Sequence, residues 1–270
     1  MDQTASAPAN CLDFGPNVTV ENYECPIDVA DFENFEARFS PYVRNREKIY
    51  RTIPGGSTWP EFEPPREKVL EYYLTVQALD FGPRKEYLDI ASCLSLFPNF
   101  VAENYPCRVS RQDLFYPAGK HAVAFPRIKG LAIFQRKTRI TCLGSDACNL
   151  PLDDTSIDLM TMHCSLEHFE GPGDTSFMQE AFRVLKPGGK LMVIPFYCGD
   201  QYQEIIKEEF ASGCQFHRYY DPEQFVKRIV EPLTYPCVLE MRYYRNSREI
   251  DPEFYCDYSV CLRKEDDKSA

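Results

Sequence analysis

Between Gly82 and Gly119 the chain has no glycine at all. That gap covers EYLDIASCLSLFPNF, residues 86–100, which begins like a buried strand running into a ligand-binding turn. A dinucleotide turn needs G-x-G-x-x-G so that bare backbone can approach a pyrophosphate. NAD, FAD and ATP are therefore poor readings of this turn. Positive charge is also scarce: 30 Lys and Arg against 41 Asp and Glu give a formal charge of −11. Such a balance repels phosphate backbones and anionic membrane surfaces, so neither a nucleic-acid nor a membrane partner is expected. The longest apolar run, LMVIPFY at residues 191–197, is far too short to span a bilayer. The amino terminus has neither the basic nor the apolar stretch of a secretory signal. There are twelve cysteines but no C-x-x-C pair and no zinc-ligand spacing. They read as reduced core thiols of a cytoplasmic protein, and no metal site is expected.

What is present is a globular composition, 44% hydrophobic and 26% charged over 270 residues, enough for one sizeable core. Residues 1–60 are rich in Pro, Asn, Asp and aromatics without sustained periodicity and read as an irregular arm or lid. The spacing then predicts a helix from Pro65, with Val69, Leu70, Tyr73, Val76 and Leu79 on one face and FGP at residues 81–83 as its stop. Strands and helices alternate after that stop. EYLDIA, CRVSRQDLF, TRITCLG, SIDLMTMHC and KLMVIPF read as strands, and LSLFPNFVAEN and DTSFMQEAFRVL as helices. This alternation implies right-handed crossovers and a mostly parallel sheet with helices on both faces, an α/β fold. Helices are expected near residues 201–210 and 222–230, then a hairpin of two strands, CVLEMRYYRN and EFYCDYSVCLRK, at one edge. The domain spans 61–264 with an insertion at 114–137, and a frayed tail at 265–270 follows it.

Ligands of open parallel sheets bind beyond the carboxyl ends of the strands. At the first such end stand Asp89, Ile90, Ala91, Ser92, Cys93, Leu94 and Ser95, and Ala91, Cys93 and Ser95 are small enough to stand in for glycine and allow close approach. Any of them held at positive φ would cost roughly 1–2 kcal/mol. A nucleoside without phosphates makes weaker demands on a turn, and S-adenosylmethionine is such a ligand. Asp113, 24 positions after Asp89, stands where an acid can accept both ribose hydroxyls. Asp146, with Ala147 alongside, follows the third strand and can reach an adenine amine. Plainer readings stand beside these: Asp89 and Asp146 as turn or cap residues, Asp113 as a solvated strand end, and LKPGG as a structural turn.

The run from Gly144 to Phe196 resembles the class I S-adenosylmethionine-dependent methyltransferases, the small-molecule, type 11-like subgroup. D-x-x-x-LP-x-x-x-x-S-x-D, LEHF and RVLKPGGKL carry the likeness, and with DIASCLS and RQDLFYPAG it covers roughly residues 64–200. The departure is the first turn, which is glycine-rich in that family. The resemblance implies a Rossmann-like seven-stranded sheet with an antiparallel last strand and S-adenosyl-L-methionine as cofactor. It further implies that Asp89 orders the first turn, with Ala91, Ser92 and Cys93 against the methionine portion. Asp113, with Leu114 beside it, would take the ribose, and Asp146 and Ala147 the adenine. His163, Cys164 and the Leu166-Glu167-His168 element would line the cleft, with His163 and His168 as candidate bases. The expected reaction is methyl transfer to a small molecule or a sugar within a glycan, O-methylation first, with N- or C-methylation as the alternatives. A non-catalytic relative that keeps the fold for binding or assembly is the alternative.

Overall fold

The computed structural model describes residues 14–51, 66–93, 95–114, 140–196, 199–206, 215–252 and 258–266. The insertion expected at 114–137 therefore lies almost wholly outside the described residues.

The segment from residue 86 to 194 folds as its alternation dictates. Strands β2 (Glu86–Ile90), β3 (Arg108–Asp113), β4 (Thr141–Gly144), β5 (Ile157–His163) and β6 (Leu185–Ile194) run parallel. An earlier strand, β1 (Val18–Glu24), and two later ones, β9 (Cys237–Tyr243) and β10 (Tyr258–Lys264), join them in one eight-stranded sheet of order β1-β9-β10-β6-β5-β2-β3-β4. β10 is antiparallel to both its neighbours. The α/β class and the antiparallel last strand hold, but the count is eight, not seven.

The eighth strand comes from the stretch read as an irregular arm. β1 (Val18–Glu24) pairs parallel with β9 and closes that edge, so the β9–β10 pair is internal rather than terminal. The same stretch supplies α1 (Val29–Arg51), a 23-residue helix despite Pro41 within it. Its stripe of Phe32, Phe35, Phe39, Tyr42 and Val43 recurs at three- and four-residue spacing and is buried. Each such aromatic or aliphatic side chain contributes about 1.5–3 kcal/mol on burial, which outweighs the cost of one proline.

α2 (Arg66–Ala78) and α3 (Phe97–Asn104) pack with α1 on one face of the sheet, against Tyr87, Leu159, Met192, Ile194 and Cys261. The opposite face carries Leu88, Ile90, Met160, Met162, Leu191 and Val193 under α4 (Gly173–Val184) and the helical segment that opens with α5 (Pro222–Phe225). Successive strand residues thus feed opposite cores, the period of two expected of strands buried on both sides. A short helix, α6 (Ser247–Ile250), follows β9.

Two local readings change. In the described part of the helix expected near 201–210 the chain forms the strand β7 (Gln203–Ile206), paired antiparallel with β8 (Phe216–Tyr219) as a separate two-stranded sheet, and 207–210 lie outside the described residues. Alternation in FHRY buries Phe216 and Arg218 against the domain, and that anchors the pair. In LKPGG the helix has already ended at Val184, and the glycines lie inside β6. Gly188 adopts φ +75°, and a Cβ on Gly189 would meet the Lys186 carbonyl oxygen at 2.8 Å, so both positions need glycine for backbone reasons.

Candidate active site

Strand register builds the site. Asp89 on β2 lies opposite Arg111 on β3 and Thr161 on β5, so side chains from three strands converge where β2 ends. The buried Asp89 carboxylate accepts from Ser92 Oγ at 2.6 Å and Thr161 Oγ1 at 2.7 Å, with Tyr87 OH at 3.3 Å. Burial alone would raise its pKa. The facing His163 and the Ser92 and Thr161 hydroxyls outweigh that and hold it below the ordinary value.

The chain then turns sharply, with Ala91 at φ 50° and Cys93 at φ 38°. These are left-handed positions where glycine is at home, and each costs a residue with a side chain roughly 1–2 kcal/mol. Such strain persists only where the surroundings over-determine it. Here they do. The Ala91 N–H donates to Gln112 Oε1 at 3.2 Å, the Ser92 N–H to the Gln112 carbonyl at 2.9 Å, and the Cys93 N–H to Asp113 Oδ2 at 2.7 Å. The Arg111 guanidinium donates to the carbonyls of Cys93 (2.8 Å), Ser95 (3.1 Å) and Ser92 (3.4 Å).

Gln112 also donates through Nε2 to the Ser145 carbonyl, tying the first turn to the turn after β4. There Asp146 Oδ1 accepts from the Cys148 N–H at 2.9 Å, while the neighbouring Ala147 is buried. Leu114, just past Asp113, is 69% exposed. The structure therefore brings Asp89, Ala91, Ser92, Cys93, Asp113, Asp146 and Ala147 to adjoining strand ends, with Leu114 at the outer rim.

The two histidines have different surroundings. His163 is wedged edge-on against Tyr72 and Phe97, with ring centroids 5.1 and 5.2 Å away. Its Nε2 lies 3.0 Å from Thr75 Oγ1 and its Nδ1 3.4 Å from Asp89 Oδ1, so both nitrogens face protein groups. His168 Nδ1 donates to the Phe216 carbonyl at 2.7 Å, which fixes its tautomer and leaves Nε2 as acceptor, 3.7 Å from Glu167 Oε1. Cys164, at φ 47°, places Sγ 3.4 Å from Glu71 Oε1, and Lys68 Nζ lies 2.9 Å from Glu71 Oε2. Burial, then the Glu71 charge, pushes the Cys164 thiol well above its ordinary value and keeps it protonated.

Glu71, Thr75, Arg111 and Gln112 are candidate-site residues the sequence reading passed over. Two carried a signal: Glu71 and Thr75 sit four apart among the buried residues of α2. Polar groups at such positions need partners, and here they find the strand ends.

Glu167 gives a pH test. Burial drives its carboxyl up to about 7, aided by Glu71 and opposed by its own backbone N–H and by Lys68. Between its ordinary 4.5 and about 7 the folded chain holds a proton that the unfolded chain has released, so stability falls as pH rises through that window. The whole effect is at most about 3 kcal/mol. Glu167→Gln is therefore expected to match the parent near pH 4 and to exceed it in urea denaturation at pH 8. Equal stabilities at both pH values would show that Glu167 ionises normally.

Residues 88–193 match the family described as a methyltransferase domain. Demethylmenaquinone methyltransferase of Clavibacter sepedonicus is 32% identical over 84 residues, 29% of this chain and 34% of that protein. Ubiquinone/menaquinone biosynthesis C-methyltransferase UbiE of Ruegeria sp. (strain TM1040) is 41% identical over 51 residues, 19% and 20% of the two chains. The chain thus spans about a third or less of the length of these relatives. Among solved structures, Haemonchus contortus phosphoethanolamine N-methyltransferase 1 superposes with a TM-score of 0.53 at 11% identity, over 87% of this chain and 51% of that one. Burkholderia thailandensis 1,6-didemethyltoxoflavin-N1-methyltransferase gives 0.50 at 15%, over 90% and 94%. The [4+2]-cyclase SpnF gives 0.50 at 14%, over 90% and 98%. The fold is that of the Rossmann-like methyltransferases. The stretch that matches the methyltransferase-domain family, residues 88–193, runs from β2 to β6 of that fold.

Proposed function

We propose that the chain is an S-adenosyl-L-methionine-dependent methyltransferase acting on a small-molecule acceptor. One observation carries the reading: the first turn takes left-handed backbone at Ala91 and Cys93 without a glycine, and buried side chains hold it there. Strain maintained at that cost is a mark of a ligand-binding backbone. The small side chains at 91–93 leave room for a methionine portion. Asp113 stands beside the turn for the ribose, and Asp146 and Ala147 for the adenine. The cofactor, when bound, supplies a methyl group already activated on a sulfonium.

The protein's own part is to align the acceptor and to take a proton where the acceptor carries one. Alignment supplies several kcal/mol. A base contributes about 10²–10⁴-fold. His168 fits that second role, since its Nδ1 is committed to the Phe216 carbonyl and its Nε2 is the acceptor. His163, with both nitrogens on buried partners, acts instead on the position of Asp89. One relative is named a C-methyltransferase and two of the superposing structures are N-methyltransferases, so carbon and nitrogen stand beside oxygen as candidate methylated atoms. A sugar hydroxyl or glycan acceptor is the less supported variant. The free thiols among the described residues accord with a reducing, cytoplasmic compartment. Among those residues no helix is long and apolar enough to cross a membrane.

Calorimetry and thermal shift at millimolar S-adenosylmethionine test the reading, and silence in both overturns it. Asp113→Ala is expected to weaken cofactor binding at least about tenfold, as loss of a charge-assisted bond pair does. Unchanged affinity would place the ribose elsewhere. Product analysis then separates methyl transfer from a non-methylating use of the same fold, and from binding alone.

A further inference from the structure

We propose that Arg111 is a positioning residue that substitutes for the missing glycines, holding the first turn in its left-handed, cofactor-ready shape. The inference rests on the cofactor reading above, and its geometry is independent of it.

Arg111 is fully buried, lies opposite Asp89 in the β2–β3 register, and sends one guanidinium nitrogen to three carbonyls of the same turn. Those carbonyls belong to the left-handed Cys93 itself and to Ser92 and Ser95 on either side of it. The three carbonyls converge on this one nitrogen, and a cation beneath them relieves the mutual repulsion of their dipoles. Glycine would solve the problem by removing the side-chain clash. This chain keeps the side chains and stabilises the strained backbone electrostatically from below. The next two residues complete the clamp from the amide side, Gln112 receiving the Ala91 N–H and Asp113 the Cys93 N–H. Three consecutive residues of β3 thus hold both the donors and the acceptors of one turn.

The two chemistries are interchangeable in this view, and that makes the role separable from ordinary core packing. In Arg111→Met the amides of Ala91, Ser92, Cys93 and Ser95 are expected to exchange with deuterium about 10–100-fold faster, with the rest of the sheet unchanged. Affinity for S-adenosylhomocysteine should fall about 30-fold by calorimetry, in keeping with lost charge-assisted bonds. Adding Ala91→Gly and Cys93→Gly to Arg111→Met should recover at least about fivefold of that affinity, because glycine needs no brace. The same glycine pair in the parent gives the reference against which that recovery is read. Arg111→Lys, which keeps the charge but loses the fork, should fall between the two and serves if the methionine variant does not fold.

Unchanged exchange at these amides in a folded variant overturns the proposal. So does a loss of affinity that the glycine pair leaves untouched. Faster exchange in Arg111→Met, with a parent protein that binds no cofactor, would support the brace while removing the cofactor reading.

Discussion

Asp174→Ala is expected to lower the unfolding free energy by about 3–5 kcal/mol, because it strands a buried arginine. The carboxylate stands fully buried in the first turn of α4, with Arg218 Nη1 at 2.8 Å and Arg228 Nη2 at 2.7 Å. Tyr220 donates its hydroxyl to the same group at 2.8 Å. Burial, then the Asp174 charge, pushes that hydroxyl far above its ordinary value, so it stays a donor. Arg218 is buried too, and its other acceptors include the carbonyls of Phe169 and Gly171, the Tyr202 hydroxyl and the half-exposed Glu204 on β7. Removing Asp174 leaves that cation with carbonyls and one exposed acid, a poor exchange for full hydration.

Urea denaturation at pH 7 measures the loss, and a midpoint drop of roughly 10 °C in thermal unfolding should accompany it. A change under about 1 kcal/mol would show that the pair is hydrated in solution. The consequence reaches the site, since β8 carries the Phe216 carbonyl that fixes the His168 tautomer. Loss of Asp174 should therefore blunt any His168-dependent rate before the sheet itself unfolds.

The sheet was legible because its central strands are buried on both faces. EYLDI, IDLMTMH and LMVI are short apolar runs bounded by turns, and helices separate them, so a parallel order follows from pattern alone. The seven-strand count was borrowed from a family resemblance confined to roughly residues 64–200, and the extra strand lies outside that stretch. β1 pairs on one side only and is largely exposed, so VTVENYE lacks the apolar density that marks the interior. α1 was missed because Pro41 and its many charges mask an aromatic stripe that only helical spacing reveals. β7 failed for a different reason: a four-residue strand with no buried member carries no periodic signal.

The site divides in the same way. Asp89 and Asp113 were placed by strand ends, a local property, and the small residues at 91–93 announced a close turn. Arg111 and Gln112 read as ordinary strand polars, because nothing local says that their side chains reach back some 20 positions to the turn. His163 was legible in principle. Met160 and Met162 enter one core, so Leu159, Thr161 and His163 must face the other, where α2 waits with Thr75. Strand parity thus directs it at a helix and away from an open cleft.

Asp89→Ala is expected to be the most damaging change to cofactor binding, weakening it at least about 30-fold through the collapse of its hydrogen-bond cluster. The argument is cooperative. One carboxylate accepts from Ser92 and Thr161, lies within reach of Tyr87, and faces His163 at 3.4 Å. Removing it leaves these groups buried with no common acceptor and frees Ser92, the residue between the two left-handed positions. A stability loss of about 3 kcal/mol should follow.

The acid side of the pH profile separates this cause from simple loss of packing. Because the folded pKa of Asp89 is depressed, its contribution is present above the ordinary 3.8 and disappears as pH falls through the depressed value. The parent should therefore lose stability on acidification more steeply than Asp89→Ala does, and the two curves should converge at low pH. Parallel curves from pH 7 to 3 would mean that the carboxylate carries no charge-linked stability. The turn would then depend on its amide and carbonyl clamps alone.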